Sequence, residues 1–274
     1  MKFSVLMSVY GKDNLEYFQT ALESVTSNQT VSPAQVVIVQ DGPLPDVFDA
    51  VIENVSKQTP EVEFTVIKKE NNAGLAAALN SGIGVCRYEW IARMDSDDIS
   101  LPDRFEKQLV FIAKNRSIDV LGGTIAEFRN SPGDIQSERH VGLTESEIKQ
   151  MAKRRTPMNH VTVMYRKDAV IRAGGYAENF GKLEDYKLWV DMLSTGAHFA
   201  NVDDILVYVR IGNGLIERRS SKREVKDWDM LQECLLKTGL IGKTDAFKNR
   251  LYIRAFIYMP AWLKKIAYKT VLRK

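Results

Sequence analysis

Apolar and polar positions along the first half of the chain switch repeatedly between two periods, and the switches outline a fold. Phe3 to Val9 is a near-continuous β-rich run, the mark of a strand covered on both faces. Asp13 stands three residues before Glu16, the spacing of a helix start, and Leu15, Phe18, Leu22 and Val25 then recur at helical intervals. Val36 to Val39 is a second strand, broken by Asp41-Gly42-Pro43. Pro45 opens a helix with Phe48, Val51, Ile52 and Val55 on one stripe. Val62 to Ile67 alternates as a third strand, Leu75 to Val85 forms a helix of small residues, and Trp90 to Met94 is a fourth strand. Ser100-Leu101-Pro102-Asp103 starts a helix that runs to about Lys114. Strands separated by single helices predict an α/β fold with a doubly wound, mostly parallel central sheet.

The second half is less regular. It reads as a strand over Ile118–Gly122, a loop at Asn130–Asp134, a capping box at Thr144–Glu147 and a strand over His160–Tyr165. A turn at Gly174-Gly175-Tyr176, a helix over Leu183–Leu193, a strand over Ile205–Arg210 and a helix over Ser221–Lys237 follow. No internal repeat interrupts this order. The one boundary in the pattern lies near Gly239–Lys243, which gives a main domain over 1–240 and a helical extension over 241–274.

Composition narrows the class. At 274 residues with 45% hydrophobic and 27% charged positions, the chain is an ordinary globular protein with a sizeable core. No apolar run approaches the roughly 18 residues of a spanning helix. The short stretch after Met1 meets Gly11-Lys12-Asp13 and reads as a strand rather than a signal peptide. Two distant cysteines, Cys86 and Cys234, fit buried thiols in a reducing cytoplasm. Charge is uneven. From Lys243 to Lys274 there are nine Lys/Arg against Asp245 alone, so that segment is +8 and, within a total of +3, the remainder is −5. Body and tail are expected to meet different partners.

The chemistry concentrates after the fourth strand. Asp95, Asp97 and Asp98 bring three carboxylates to one spot, where they repel one another unless a cation sits between them. A solvated acidic turn capping the next helix is one reading. The other is a site for a hard divalent ion, Mg²⁺ or Mn²⁺, which prefers oxygen ligands and keeps positions open for substrate phosphates. The strand-end position favours the second, because ligands of α/β sheets collect at the carboxyl ends of strands. Ser8 and Tyr10 end the first strand and Asp41 the second, so they converge on the same crevice. Asn71, Asn72 and Gly74 precede the small-residue helix, which contains Asn80.

Taken in order, these segments resemble the family 2 inverting glycosyltransferases of the GT-A fold, the type that builds bacterial surface polysaccharides. The resemblance runs from Phe3 to about Arg219. It rests on Ser4–Tyr10, Val39-Gln40-Asp41-Gly42, Asn71–Leu75 with Asn80, Arg93–Asp98, Asn159-His160, Gly174-Gly175-Tyr176 and Leu183–Trp189. It implies a nucleotide-sugar-binding half over 1–125 and an acceptor half, carrying the catalytic base, over 126–240. It also implies a UDP-sugar donor contacted by Ser8, Tyr10, Asp41, Asn72, Asn80, Arg93, Asp95, Asp97 and Arg219. Asp41 is similar to the acid on the uracil edge, and Asp95 and Asp97 to the ligands of Mn²⁺ or Mg²⁺. Asp185 resembles the catalytic base, with Glu184 as the alternative. Two departures stand out. Gln40 replaces an acid, and Gly212 follows Tyr208-Val209-Arg210 where relatives often carry a histidine. Arg210, Arg218 or Arg219 is then left to balance the diphosphate, and His160 is open between a structural and a ligand role.

The resemblance further implies transfer of a hexose or N-acetylhexosamine to a hydroxyl of a glycan acceptor that is lipid-linked. Two other classes compete. A nucleotidylyltransferase needs a Gly-rich basic loop after the first strand, which Gly11-Lys12-Asp13 is not. A catalytically silent nucleotide-sugar-binding scaffold has no need of a base such as Asp185. In the tail, Leu263, Ile266, Ala267 and Val271 form an apolar stripe beside Lys264, Lys265 and Lys269, after a break at Pro260. Such basic amphipathic helices suit an anionic membrane, here the inner face of the cytoplasmic membrane; no nucleic-acid motif accompanies the charge.

Overall fold

The computed structural model describes residues 1–211, 222–260 and 263. At its centre is β1 (Phe3–Val9), which pairs in parallel with β2 (Gln35–Gln40) on one side and β4 (Trp90–Met94) on the other. β3 (Glu63–Lys68) extends the sheet beyond β2. Alternate side chains of a strand point to opposite faces, and the two faces carry separate cores. Phe3, Val5, Met7 and Val9 pack with Phe18 and Leu22 of α1 (Leu15–Ser24) and Phe48, Ile52 and Val55 of α2 (Val47–Gln58). Phe105 and Ile112 of α4 (Arg104–Lys114) join the same layer. Leu6, Val37 and Val39 face the other way, onto Ala76, Leu79 and Ile83 of α3 (Leu75–Val85). The sheet is doubly wound, as the strand–helix alternation predicts.

The second half extends the same sheet. β5 (Ile99–Ser100), β6 (Val120–Phe128), β7 (Ile135–Arg139), β8 (Met164–Arg166) and β9 (Phe199–Arg210) complete a nine-stranded sheet in the order β3-β2-β1-β4-β8-β6-β9-β5, with β7 on β6. Six strands run one way, while β5, β7 and β8 oppose them. α5 (Glu145–Met151), α6 (Lys167–Arg172) and α7 (Glu184–Ser194) cover it. Trp189 and Phe199 meet edge to face and close this layer.

Several sequence expectations need correction here. Asp13 does not cap α1. Asn14 does, with its Oδ1 accepting from Tyr17 N at 3.0 Å. His160–Tyr165 is not one strand but a 3-10 turn over His160–Thr162 followed by β8. Thr162 Oγ1 donates to Asn159 O at 2.8 Å and winds the chain there. β9 begins at Phe199 rather than Ile205, because Asp203 and Asp204 lie in an irregular stretch of the β6 pairing that interrupts its apolar pattern. β5, β7 and α6 are too short or too exposed to leave a period in the sequence. The capping box at α5 stands as expected, with Glu147 Oε2 accepting from Thr144 N at 2.9 Å.

The boundary expected near 240 is not a gap. α8 (Lys222–Lys237) and α9 (Lys243–Tyr258) share one apolar cluster with α7, built from Tyr186, Val190, Leu231, Leu235, Ile241 and Ala246. Residues 241–258 therefore pack on α7 and α8; the stripe after Pro260 and Arg218 and Arg219 lie outside the described residues, apart from Leu263.

Close packing of α3 on the sheet generates a paired expectation. A Cβ at Gly82 would sit 2.2 Å from Leu6 Cδ1 and 3.1 Å from Val39 Cγ2, whereas one at Gly84 meets nothing within 4 Å. Gly82→Ala should destabilise by about 2 kcal/mol through overpacking. Gly84→Ala should stabilise by roughly 0.5–1 kcal/mol through helix propensity. Urea midpoints followed by circular dichroism should move in opposite directions for these two positions.

Candidate active site

The carboxyl ends of β1 and β2 open onto a cleft of about 320 Å³ lined by Tyr10, Gly11, Lys12, Asp41, Gly42, Pro43 and Asn72. Ser8 is half-buried opposite Val39, and Tyr10 is exposed at the rim. Asp41 is buried, and each of its carboxylate oxygens already accepts a backbone N–H at 2.9 Å, from Ala73 and from Gly74. Asn72 Nδ2 donates to Asp41 O at 3.0 Å. Asp41 thus ties β2 to the loop before α3. Gly42 is the turn that makes this possible: its φ is 96°, and a Cβ there would lie 2.9 Å from Asn72 N.

Asn80 is turned away from the cleft. Its Oδ1 accepts from Tyr176 N and its Nδ2 donates to Tyr176 O, both at 2.8 Å, so it clamps the Gly174-Gly175-Tyr176 turn to α3. The donor contact expected of Asn80 is replaced by this backbone clamp. Both glycines of the turn have positive φ.

Beside the cleft lies an acidic ledge. Asp95 is partly exposed, Asp97 exposed and Asp98 buried. A fourth carboxylate joins them: Asp13, released from capping duty, accepts from Tyr10 N at 3.1 Å and from Ser96 Oγ at 2.7 Å. Although Asp97 reaches solvent, the protein packed around its carboxyl desolvates it in part, and this together with the Asp95 and Asp13 charges pushes it up to about 6. Burial, then Asp95 and Asp97, raise Asp98 well above the usual carboxylate range, although its Oδ1 accepts from Arg210 N at 2.8 Å. Asp13 is raised as well, first by burial. The Arg210 guanidinium stacks 3.7 Å over Tyr17 at the same edge and donates to Asp97 O at 3.3 Å.

One cation lies beneath the ledge. Arg93 is buried on β4, with Nη1 2.5 Å from Asp95 Oδ2. Burial works against its charge, but Asp95 overrides burial and holds the guanidinium protonated more firmly than in water. Its Nε and Nη1 nonetheless lack a well-directed hydrogen bond. Arg104 lies behind it, donating to Arg93 O at 2.9 Å. Burial and the Arg93 charge pull Arg104 down to about 9.

Across Arg93 stands the start of α7. Burial and the Asp185 charge push Glu184 up to about 7, Arg93 draws it back, and its Oε2 has no hydrogen-bond partner. Asp185 is partly buried; its Oδ1 accepts from Tyr186 N at 2.6 Å and its Oδ2 lies 3.4 Å from Thr156 Oγ1. His160 pairs its Nε2 with Tyr176 Oη at 2.7 Å and packs against Trp189. Burial and Arg93 favour the neutral imidazole, and Tyr176 occupies its Nε2. The structure thus gathers Asp95, Asp97 and Glu184 around Arg93, with Asp185 beside Glu184, while Arg219 falls outside the described residues. Sequence reasoning missed Asp13 and Arg104. For Asp13 the adjacent pair Asp13-Asn14 was the available signal, since only one of two good capping residues can cap.

No three His, Cys, Asp or Glu among the described residues converge into a metal cage. Two carboxylates with substrate phosphates are enough for Mg²⁺ or Mn²⁺, and the ledge offers hard oxygen donors whose mutual repulsion a dication would relieve. The residues fit such an ion.

A curled, mostly parallel sheet with an acidic ledge at its strand ends defines the GT-A class of glycosyltransferase. Comparison with known proteins agrees. The model named Glycosyl transferase family 2 matches residues 4–180, and the chain belongs to that family. It is 39% identical over 277 residues to an uncharacterized glycosyltransferase of Haemophilus influenzae, covering all of both chains. It is 35% identical to the amylovoran biosynthesis glycosyltransferase AmsE of Erwinia amylovora, covering 97% of this chain and 98% of that one. A third relative, at 33% identity over 100% of this chain and 97% of its own, is the Escherichia coli UDP-Gal:alpha-D-GlcNAc-diphosphoundecaprenol beta-1,3-galactosyltransferase. Among solved structures, S. aureus TarS 1-349 in complex with UDP-GlcNAc superposes with a TM-score of 0.68 at 17% identity, over 99% of this chain and 76% of that one. The mannosyltransferase PcManGT of Pyrobaculum calidifontis, in complex with GDP-Man and Mn2+, gives 0.63 at 15%, over 98% and 74%. The protein is a glycosyltransferase.

The ledge sets a pH dependence of stability. Because Asp97 titrates near 6 in the folded chain and near 3.8 unfolded, the native state binds more protons between those values. Stability should therefore fall as pH rises through that window. In chelator, Asp97→Asn should match wild type near pH 4 and exceed it at pH 7 by roughly 1 kcal/mol, a value discounted for solvent screening. Thermal denaturation across that range checks the sign.

Proposed function

We propose that this glycosyltransferase moves a hexose or N-acetylhexosamine from a UDP-sugar to a hydroxyl of a lipid-linked glycan acceptor, with inversion, during bacterial surface-polysaccharide synthesis. One observation carries the reading: the acidic ledge and the Glu184–Asp185 pair flank the same buried guanidinium, so donor and base sites are neighbours. The printed names of the relatives support the finer points, one specifying a UDP-galactose donor and a diphosphoundecaprenol acceptor and another amylovoran biosynthesis.

In this reading the uridine lies in the cleft between Tyr10, Asp41 and Asn72, with Asp41 presenting its remaining lone pairs to the uracil edge. Ser8 and Arg93 support the donor from below. Mn²⁺ or Mg²⁺ held by Asp95 and Asp97 would supply Lewis-acid neutralisation of the diphosphate leaving group. Arg210 flanks the same edge, and Arg219 is assigned to the diphosphate from the sequence alone. Asp185 takes the proton of the acceptor hydroxyl. The acceptor oxygen bonds to C1 as the C1–oxygen bond to the diphosphate breaks, and UDP leaves with the electron pair. Glu184, which holds its proton up to about pH 7, is the poorer base at neutrality but the alternative. A nucleotidylyltransferase is disfavoured because the loop after β1 turns the Asp13 carboxylate inward, where a triphosphate cradle would need amides and cations.

We also place the enzyme as a peripheral protein on the inner face of the cytoplasmic membrane. No helix among the described residues is long and apolar enough to cross a membrane. α9 leaves Phe247, Leu251, Tyr252 and Tyr258 exposed, and the segment from Lys243 onward carries the chain's positive charge. Phe247→Glu with Leu251→Glu should abolish sedimentation with phosphatidylglycerol vesicles; sedimentation equal to wild type would remove the membrane contact.

A panel of nucleotide-sugars with Mn²⁺, scored by nucleotide release, tests the reaction, and release from UDP-sugars is expected. Asp185→Asn should lower kcat by about three orders of magnitude with UDP affinity near normal. If UDP binding vanished with it, Asp185 would be a structural residue instead.

A further inference from the structure

The loop between α5 and the 3-10 turn carries Lys153, Arg154 and Arg155 in a row, immediately before Thr156, whose hydroxyl lies 3.4 Å from the Asp185 carboxylate. Three tethers fix this loop. Tyr186 Oη of α7 donates to Ala152 O at 2.6 Å, Asn249 Nδ2 of α9 donates to Lys153 O at 2.8 Å, and Thr156 reaches Asp185. Asn249 is itself buried and bonded to Gln232 Oε1 at 2.9 Å, so the anchor on α9 is rigid. All three cationic side chains are at least partly exposed, and none has an anionic partner among the described residues.

Other described cations do meet carboxylates. Arg166 meets Glu89, Arg254 meets Asp229 at 2.7 Å, and Lys107 meets Asp204 at 2.8 Å. Three unmatched cations on a pinned loop, beside a base that must remove a proton from an acceptor, favour an anion on that acceptor. The loop approaches Asp185 from the α7–α9 side, whereas the acidic ledge is built by the ends of β1 and β4, so these cations are separate from the ledge's own counter-charge.

We propose that Lys153, Arg154 and Arg155 form an acceptor subsite that binds the diphosphate joining the acceptor sugar to its lipid. This rests on the lipid-linked reading above and names the part of that acceptor the enzyme holds. Binding here sets the sugar hydroxyl against Asp185, and the prenyl chain continues toward the exposed face of α9.

Calorimetry tests it on full-length protein saturated with UDP and Mn²⁺, so that the donor's own diphosphate position is filled. Geranyl diphosphate and geraniol are the probes. Wild type should bind geranyl diphosphate clearly better than geraniol. Lys153→Gln/Arg154→Gln/Arg155→Gln should bind it about tenfold more weakly, with UDP affinity unchanged, and Lys114→Gln/Arg116→Gln should behave as wild type. Equal affinity of the triple variant and wild type would overturn the subsite, as would equal binding of the two probes. A variant that loses phosphatidylglycerol vesicles but keeps geranyl diphosphate would assign the loop to membrane headgroups and overturn it too. If UDP fails to bind, the donor reading fails on its own account, and the difference in geranyl diphosphate affinity between wild type and the triple variant, titrated without UDP, still reads the loop.

Discussion

Four carboxylates at the end of two strands repel one another, and the buried Arg93 guanidinium beneath them pairs with Asp95. The Asp95 charge raises the proton affinity of Asp13, Asp97 and Asp98, and Arg93 beneath them is the one buried cation in direct contact with the ledge among the described residues. Its Nε and Nη1 lack well-directed hydrogen bonds, so the buried guanidinium is incompletely compensated. A buried charge with incomplete partners is costly, and proteins keep such arrangements chiefly where a ligand completes them.

The rest of the fold can be understood as the support for that spot. β1, β2 and β4 are parallel and buried, so their carboxyl ends open together onto one crevice. Antiparallel β8 then turns the chain back beside β4 and carries the second half into the same sheet. Asn80 clamps the glycine turn at Tyr176, Tyr176 fixes His160, and Trp189 packs on His160 from α7. This chain of contacts positions Glu184 and Asp185 relative to Arg93. α8 and α9 buttress α7 from outside through Tyr186 and Val190, which packs the C-terminal helices against the element that carries Glu184 and Asp185.

Much of this was legible in the residues. The first four strands and their helices follow from unbroken apolar runs and helical stripes, because parallel strands buried on both faces leave a strong signal. The acidic run after Met94 was legible for the same reason, since the strand that delivers it is unmistakable. What could not be read was long-range. Asp13 looked like a helix cap until Asn14 took that role, and Asn80 looked like a ligand contact until its amide closed on a backbone 96 residues away. β9 was hidden at its start by Asp203 and Asp204, and β8 by the 3-10 turn before it. The glycosyltransferase assignment came from several weak motifs in the right order, none of which would have carried it alone.

The central claim is that the ledge binds diphosphate only together with a dication. Isothermal titration of UDP into the purified protein tests it directly, once in Mn²⁺ buffer and once in chelator. Binding in manganese that is lost or weakened by at least about tenfold in chelator is the predicted result. Equal affinity in the two buffers would contradict it, and would leave Arg93 and its neighbours to be explained as structure alone.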